Sequence, residues 1–200
     1  FEHDMGEGFP LLTTKKMAIR LVASELEFFI KGYTDKEWLQ ERNNHIWDEW
    51  CNPQKAPYGH DTQTKQYMRQ ERDLGPIYGF QWRHFGARYE GHEKDYQGKG
   101  IDQMAELMRA LKKDPMSRRM IVTAWNPPDI GKMALPPCHQ GFQVLVNQGR
   151  LDLVWSQRSV DTMLGLPFNM ASYGLLLHLL AKEGGYEEGK LVGFLADVHI

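Results

Sequence analysis

Phe142-Gln143-Val144-Leu145-Val146-Asn147-Gln148-Gly149-Arg150-Leu151-Asp152-Leu153-Val154-Trp155-Ser156-Gln157 is the stretch from which the architecture is read. Two runs of strand-forming residues, Phe142 to Val146 and Leu151 to Gln157, flank the turn signal Asn147-Gln148-Gly149, so they predict an antiparallel hairpin. Downstream, Pro167 opens a strongly apolar helix that closes at Gly184-Gly185, and Leu191 to Ile200 reads as a last strand. Upstream, Met120 to Trp125 reads as a strand. Ile101 to Lys113 reads as an amphipathic helix with Ile101, Met104, Ala105, Met108 and Leu111 on one side, stopped by Asp114-Pro115. A further helix is predicted from about Thr13 to Lys31. At roughly 100° per residue, Arg20, Ser24, Glu27 and Lys31 share a narrow polar arc opposite Met17, Ala18, Leu21, Val22, Leu26, Phe28 and Phe29. Residues 51–75, with Pro53, Pro57 and Gly59, read as a surface loop or insertion. Long helices mixed with hairpin strands predict an α/β or α+β domain around a mixed β-sheet.

Two hundred residues suffice for one domain with a substantial core. A net charge of −2 gives no reason to expect a general polyanion-binding surface, although local basic clusters can still hold a phosphate. The two cysteines, Cys51 and Cys138, are far apart and outside any CxxC pair, which disfavours a disulfide scaffold or zinc site and suits a reducing compartment. No apolar run reaches the roughly 18 residues that span a bilayer, and no signal peptide is visible. A cytoplasmic location is expected. The chain starts without Met and stops inside a predicted strand, so it is expected to be one catalytic domain, 1–200, of a longer protein lacking a segment at each end.

Several residues could carry chemistry. Cys138 sits in Leu135-Pro136-Pro137-Cys138-His139-Gln140, just before a strand, where two prolines stiffen the approach. A nucleophilic thiol and a buried inert cysteine both fit this local evidence. His139 need not be a base for it, because adjacent residues on an extended segment point to opposite faces. Ser117-Arg118-Arg119 and Gln157-Arg158-Ser159 offer guanidinium forks that match phosphate oxygens. If these converge on the thiol they would bind a phosphorylated substrate and lower the thiol pKa; if not, they are surface ion-pairing groups. Asn169, at a helix start, is either a cap or an amide reader of a heterocycle edge. Trp47 and Trp50 are either core or a platform for a flat ring. Glu25 lies in the middle of an apolar arc, which fits a carboxylate that escapes to water, one held by a structural arginine, or one with a raised pKa in a site.

Taken together these residues resemble the thymidylate synthase family. The resemblance is carried by Leu135-Pro136-Pro137-Cys138-His139, by Gln157-Arg158-Ser159-Val160-Asp161, and by Gly165-Leu166-Pro167-Phe168-Asn169-Met170-Ala171-Ser172-Tyr173. Asp73-Leu74-Gly75-Pro76-Ile77-Tyr78-Gly79 with Gln81-Trp82-Arg83, Ser117-Arg118-Arg119 with Ala124-Trp125-Asn126-Pro127, Phe9 to Lys16, and Ile46 to Trp50 add to it. The blocks follow the family's order over nearly the whole chain.

The resemblance implies a large mixed β-sheet flanked by helices and a homodimer. It implies reductive methylation of dUMP to dTMP, with 5,10-methylenetetrahydrofolate as co-substrate, dihydrofolate as product and no metal. By position, Cys138 is the implied nucleophile, with Glu25, Tyr78, His139, Asp161 and Asn169 around the reaction. Arg158, Ser159 and a partner subunit's copies of Arg118 and Arg119 are the implied phosphate site. Asn169 would read the pyrimidine edge, Asp161 would touch base and pterin, and His199 would bind the deoxyribose hydroxyl. Trp47, Trp50, Leu135, Asp161, Leu164, Gly165 and Phe168 are the implied folate contacts. A phosphate arginine upstream of Phe9, a Tyr beyond His199 and a folate-closing tail are absent from this stretch. Leu195-Ala196-Asp197 and Glu27 depart from the common pattern. Two alternatives stand beside this reading. One is a dUMP hydroxymethylase, against which Trp47 argues; a dCMP-specific relative would carry Asp at position 169. The other is a silent nucleotide- or RNA-binding relative, which the presence of Cys138 and Arg158 disfavours. An added RNA-binding role stays open.

Overall fold

A computed structural model describes residues 1–200. The chain folds as two compact units. A sheet unit comprises Phe1–Leu26, Met104–Thr123 and Cys138–Ile200, and an aromatic unit comprises Glu27–Gln103 and Ala124–Pro137.

The sheet unit is built on five strands: β1 (Glu2–Asp4), β2 (Ile121–Thr123), β3 (His139–Asn147), β4 (Arg150–Asp161) and β5 (Glu187–His199), in the order β1-β5-β4-β3-β2. The hairpin read from the sequence is β3–β4. Asn147 pairs with Arg150, and Gln148 and Gly149 both take positive φ, 50° and 83°. That is the requirement of a two-residue hairpin turn matched to strand twist. β4 and β5 run parallel, and parallel neighbours need a long crossover. The helix after β4, Gly165–Gly184, provides it and is followed at Gly185 by a left-handed residue. The sheet is therefore mixed, with antiparallel hairpin partners on one side of β4 and a parallel one on the other, and the fold is α+β as expected.

Alternation along β4 fixes which face is covered. Leu151, Leu153, Trp155 and Gln157 are buried while their neighbours are half exposed. Tyr173 of the crossover helix stacks on Trp155, ring centroids 5.1 Å apart and 8° from parallel. The opposite face leaves Ile121, Phe194 and Val198 exposed. Gly193 on β5 is required by close approach: a Cβ there would fall 2.5 Å from Trp155 Cζ2. β1 is held at the edge by Arg150, whose guanidinium forks onto both Asp4 oxygens and holds the Asp4 pKa down to about 2.

Three helices were anticipated in type, and their bounds differ from the reading. In chain order, α1 is Ile19–Ile30 and starts six residues later than predicted, because Thr13–Ala18 has no regular structure. Its apolar arc is buried through Val22, Leu26, Phe28 and Phe29. α2 (Glu37–Gln40), α3 (Thr62–Gln70) and α4 (Tyr78–His84) all lie in the aromatic unit. α3 corrects the reading of 51–75 as loop: Asp61 caps it by accepting from Thr64 N at 2.9 Å, and only Met68 is buried. A helix with one buried residue gives almost no periodic signal. α4 is the reverse case, with Tyr78, Gly79, Phe80, Gln81 and Trp82 all buried, so no amphipathic pattern marks it. α5 is Gln103–Lys113 and the crossover helix is α6. No helix is long and apolar enough to cross a membrane.

Gly193→Ala is expected to destabilise the protein by about 1–3 kcal/mol, the usual range for overpacking, because the new methyl must displace the Trp155 ring. A urea melt reads this out; an unchanged midpoint contradicts the packing described.

Candidate active site

The end of β4 carries a hydrogen-bond chain whose directions are fixed by one group. Trp155 Nε1–H can only donate, and it donates to Gln157 Oε1 at 3.1 Å. The Gln157 amide nitrogen must then face the other way, where it donates to Ser159 O (3.2 Å) and Asn169 Oδ1 (2.9 Å). Asn169 is thereby locked with its carbonyl toward Gln157 and its NH2 as an outward donor. Asn169 is also not a helix cap, since α6 begins four residues earlier at Gly165.

Cys138 lies one residue before β3, as read. The backbone amide of Arg158 donates to Cys138 O at 2.8 Å, which aligns the two residues on adjacent strands. The Arg158 guanidinium then lies 3.8 Å from Cys138 Sγ through Nη2. Two influences compete at this thiol. Burial pushes its pKa up, and Arg158 pulls it down; burial wins, and the net shift is upward. His139 adds no positive charge. Its Nδ1 shares a 2.9 Å hydrogen bond with the hydroxyl of buried Tyr173, and burial drives the ring's pKa down to about 3.

Asp161, at the last position of β4, accepts from Met163 N (2.8 Å) and Leu164 N (2.6 Å). These backbone donors, led by Leu164, lower its pKa, with His199 and Lys15 assisting. It is the group that turns the chain into α6. Asp161 pairs with His199 in the β4–β5 register. Asp197 joins the cluster, accepting from Ser159 Oγ at 3.3 Å and lying 3.1 Å from His199 Nδ1. Thus the sheet unit brings Cys138, His139, Arg158, Ser159, Asp161, Asn169 and His199 to the adjoining ends of β3, β4 and β5 and the start of α6. Leu164 is exposed there and Gly165 and Phe168 are half-buried. Glu25 is half-buried on α1.

Arg118 and Arg119 do not join them within one chain. They are exposed just before β2, and Met120 O accepts from Val144 N, at the far end of β3 from Cys138. Six residue steps, from Cys138 to Val144, separate the positions, roughly 20 Å at strand rise.

The aromatic unit holds the remaining predicted residues. Trp47 is buried edge-on against Phe29 (6.3 Å) and Tyr78 (6.2 Å), and Phe29 stacks on Tyr78 at 4.9 Å. Trp50 is half-buried and stacks on Tyr58 at 5.3 Å and 18°. Leu135 is half-buried in a loop that Ala134 N ties to Leu74 O at 2.9 Å. Gln157, Trp155 and Tyr173 were missed as site residues. Their strand and helix positions read as core, and only the polar Gln157 at an inward position of β4 signals more. Lys15 was also missed: its Nζ donates to Met163 O at 2.7 Å and sits 5.4 Å over the Phe168 ring.

Fold and cluster define a mixed-sheet domain that presents a thiol 3.8 Å from a guanidinium, with an oriented amide on the crossover helix. Residues 1–200 match the family model described as thymidylate synthase. The chain is 50% identical over 198 residues to thymidylate synthase 1/2 of Encephalitozoon cuniculi, covering 96% of this chain and 63% of that protein. It is 45% identical to the bifunctional dihydrofolate reductase-thymidylate synthase of Paramecium tetraurelia and 44% identical to that of Zea mays, covering 98% of this chain in both cases and 42% and 37% of those proteins. The chain belongs to the thymidylate synthase family. It spans less than two thirds of the length of these relatives.

Alkylation of Cys138 by iodoacetamide is expected to keep accelerating with pH beyond the roughly 8.5 midpoint of a free cysteine. Arg158→Gln removes an influence that lowers the pKa, so its profile moves further alkaline and its rate at pH 8 falls. A rate at pH 8 equal to or above the wild type's contradicts this balance.

Proposed function

We propose that the protein is a thymidylate synthase, a cytoplasmic methyltransferase that converts dUMP and 5,10-methylenetetrahydrofolate to dTMP and dihydrofolate, with residues 1–200 acting as its catalytic domain. The observation that carries this reading is the Cys138 sulfur 3.8 Å from the Arg158 guanidinium, together with an Asn169 amide whose orientation is fixed by Gln157.

The chemistry fits these groups. C5 of uracil is a poor nucleophile until the Cys138 thiolate adds to C6 and sends the double-bond electrons toward O4. Negative charge on O4 needs a fixed donor, and the Asn169 NH2 is one. The second lone pair of Asn169 Oδ1 can accept from N3–H. C5 then attacks the folate methylene carbon and loses its proton. Elimination of the folate amine leaves an exocyclic methylene, which hydride from the tetrahydrofolate reduces as the thiolate departs. Arg158 and Ser159 bind the phosphate and His199 the deoxyribose hydroxyl. Glu25 orders water near O4, with Tyr78, His139 and Asp161 lining the site. Trp47, Trp50, Leu135, Leu164, Gly165 and Phe168 receive the folate.

The active form in this proposal is a homodimer in which Arg118 and Arg119 complete the partner's phosphate site. Their separation from Cys138 within one chain supports this, as does the exposed apolar face around Ile121, Phe194 and Val198.

The reading is tested on the full-length protein with dUMP and methylenetetrahydrofolate, following nucleotide by mass spectrometry and dihydrofolate by absorbance. Equimolar dTMP and dihydrofolate are expected. Hydroxymethyl-dUMP without dihydrofolate, or bound dUMP with no product, refutes the synthase. In the same assay Asn169→Asp is expected to shift preference toward dCMP, because cytosine places a donor where uracil has O4; unchanged discrimination contradicts the edge reading.

The dimer is tested by mixing two inactive variants, Cys138→Ser and the double variant Arg118→Glu plus Arg119→Glu, and allowing subunits to exchange. Random pairing makes half the dimers mixed, each with one intact site, so about one quarter of wild-type activity should return. No recovery in demonstrated heterodimers rules out donation across subunits.

A further inference from the structure

Lys36 is 1% exposed, and lysine is almost never fully buried without partners. Its ammonium is met by backbone carbonyls: Asp48 O at 3.0 Å, Trp50 O at 2.8 Å and Met68 O at 2.5 Å. Three acceptors use all three ammonium protons. Met68 lies in the last turn of α3, where carbonyls lack intrahelical donors and the helix end favours a cation. The other two carbonyls belong to Ile46–Trp50, which has no regular helix or strand and is closed by turns from Asp48 N to His45 O (3.2 Å) and Trp50 N to Trp47 O (3.1 Å). Lys36 itself is held in place by its own amide, which donates to Arg72 O at 3.1 Å.

Three carbonyl oxygens converging on one buried point repel one another, and only a compact cation with radiating donors reconciles them. Arginine's planar fork has the wrong geometry, and an apolar side chain would leave three buried acceptors unmet. Burial lowers the lysine's pKa, with Cys51, Asp48 and Glu71 pulling it back up. Around this point Gln40 Nε2 donates to Asp48 Oδ1 (2.8 Å) and Arg69 pairs with Glu49 (2.9 Å).

We infer that Lys36 is a positioning residue whose ammonium fixes the Trp47–Trp50 segment in the conformation that receives the folate. This rests on the reading of Trp47 and Trp50 proposed above.

The test compares full-length wild type with Lys36→Met. The expected result is a KM for methylenetetrahydrofolate raised about tenfold with a smaller change in kcat, while the Kd for dUMP stays within about twofold. An unchanged folate KM overturns the inference, as does equal weakening of dUMP and folate, which marks a general structural role. Should Lys36→Met not fold, hydrogen exchange on the wild type decides. The amides of Asp48 and Trp50 should be protected before a non-reacting folate analogue is added and no more so after; protection that arises only with the analogue overturns the inference. Wild type without synthase turnover removes this inference together with the reading beneath it. Turnover in wild type with an equivalent Lys36→Met removes this inference alone.

Discussion

An indole N–H cannot accept a hydrogen bond, and the arrangement at the end of β4 depends on that constraint. Because Trp155 Nε1 donates to Gln157 Oε1, the glutamine's nitrogen has only one direction left, and Asn169 has only one orientation that avoids facing donor with donor. The indole is in turn immobilised by the Tyr173 ring stacked on it and by the lack of a side chain at Gly193. Core packing thus sets the hydrogen-bonding polarity of a half-exposed amide two links away. A pocket built by hydrophobic contact alone would leave that amide free to flip, and a flipped amide would present an acceptor where this one presents a donor.

Burial governs the charges in the same region. Tyr173 is enclosed, so its hydroxyl stays protonated, and the ring it meets, His139, stays neutral. Within one chain Arg158 lowers the Cys138 pKa, and it does not outweigh the desolvation of the sulfur.

The hairpin was legible because strand composition and the Asn147-Gln148-Gly149 turn agree, and each half tests the other. The crossover helix was legible from its bounds, Pro167 near the start and Gly184-Gly185 at the end. α3 and α4 were not, for opposite reasons: one buries a single residue and the other nearly all of them, and periodicity needs a boundary between faces. Among the candidate site residues, Cys138 and Arg158 were legible as residue types, while the flanking pattern of Cys138 fits a nucleophilic and an inert thiol alike. Gln157 was hidden because sequence shows that a position faces inward only after the register is known. Arg118 and Arg119 were recognisable as a pair, but their place follows from the pairing of the next residues, Met120 with Val144 and Ile121 with Gln143, which no local pattern encodes.

The aromatic unit solves a different problem. Much of it is irregular backbone, whose amides and carbonyls must be met without a ladder. Buried charged or polar hubs meet some of them and tie side chains to one another. Asp73 accepts from Gly75 N (2.6 Å), Tyr89 Oη (2.5 Å) and Asn52 Nδ2 (3.4 Å). Asp129 accepts from Gln81, Asn126 and Lys132, and Gln81 also donates to Pro76 O. Lys36 is the cationic counterpart. Such hubs are costly to bury and add little net stability, but they are directional, and no buried side-chain nitrogen or oxygen is left without a partner. Apolar contacts around Phe29, Trp47 and Tyr78 would tolerate many loop conformations of similar packing. Hubs with every donor or acceptor satisfied tolerate few, so the loop geometry is set by the polar groups and the stability by the aromatic ones.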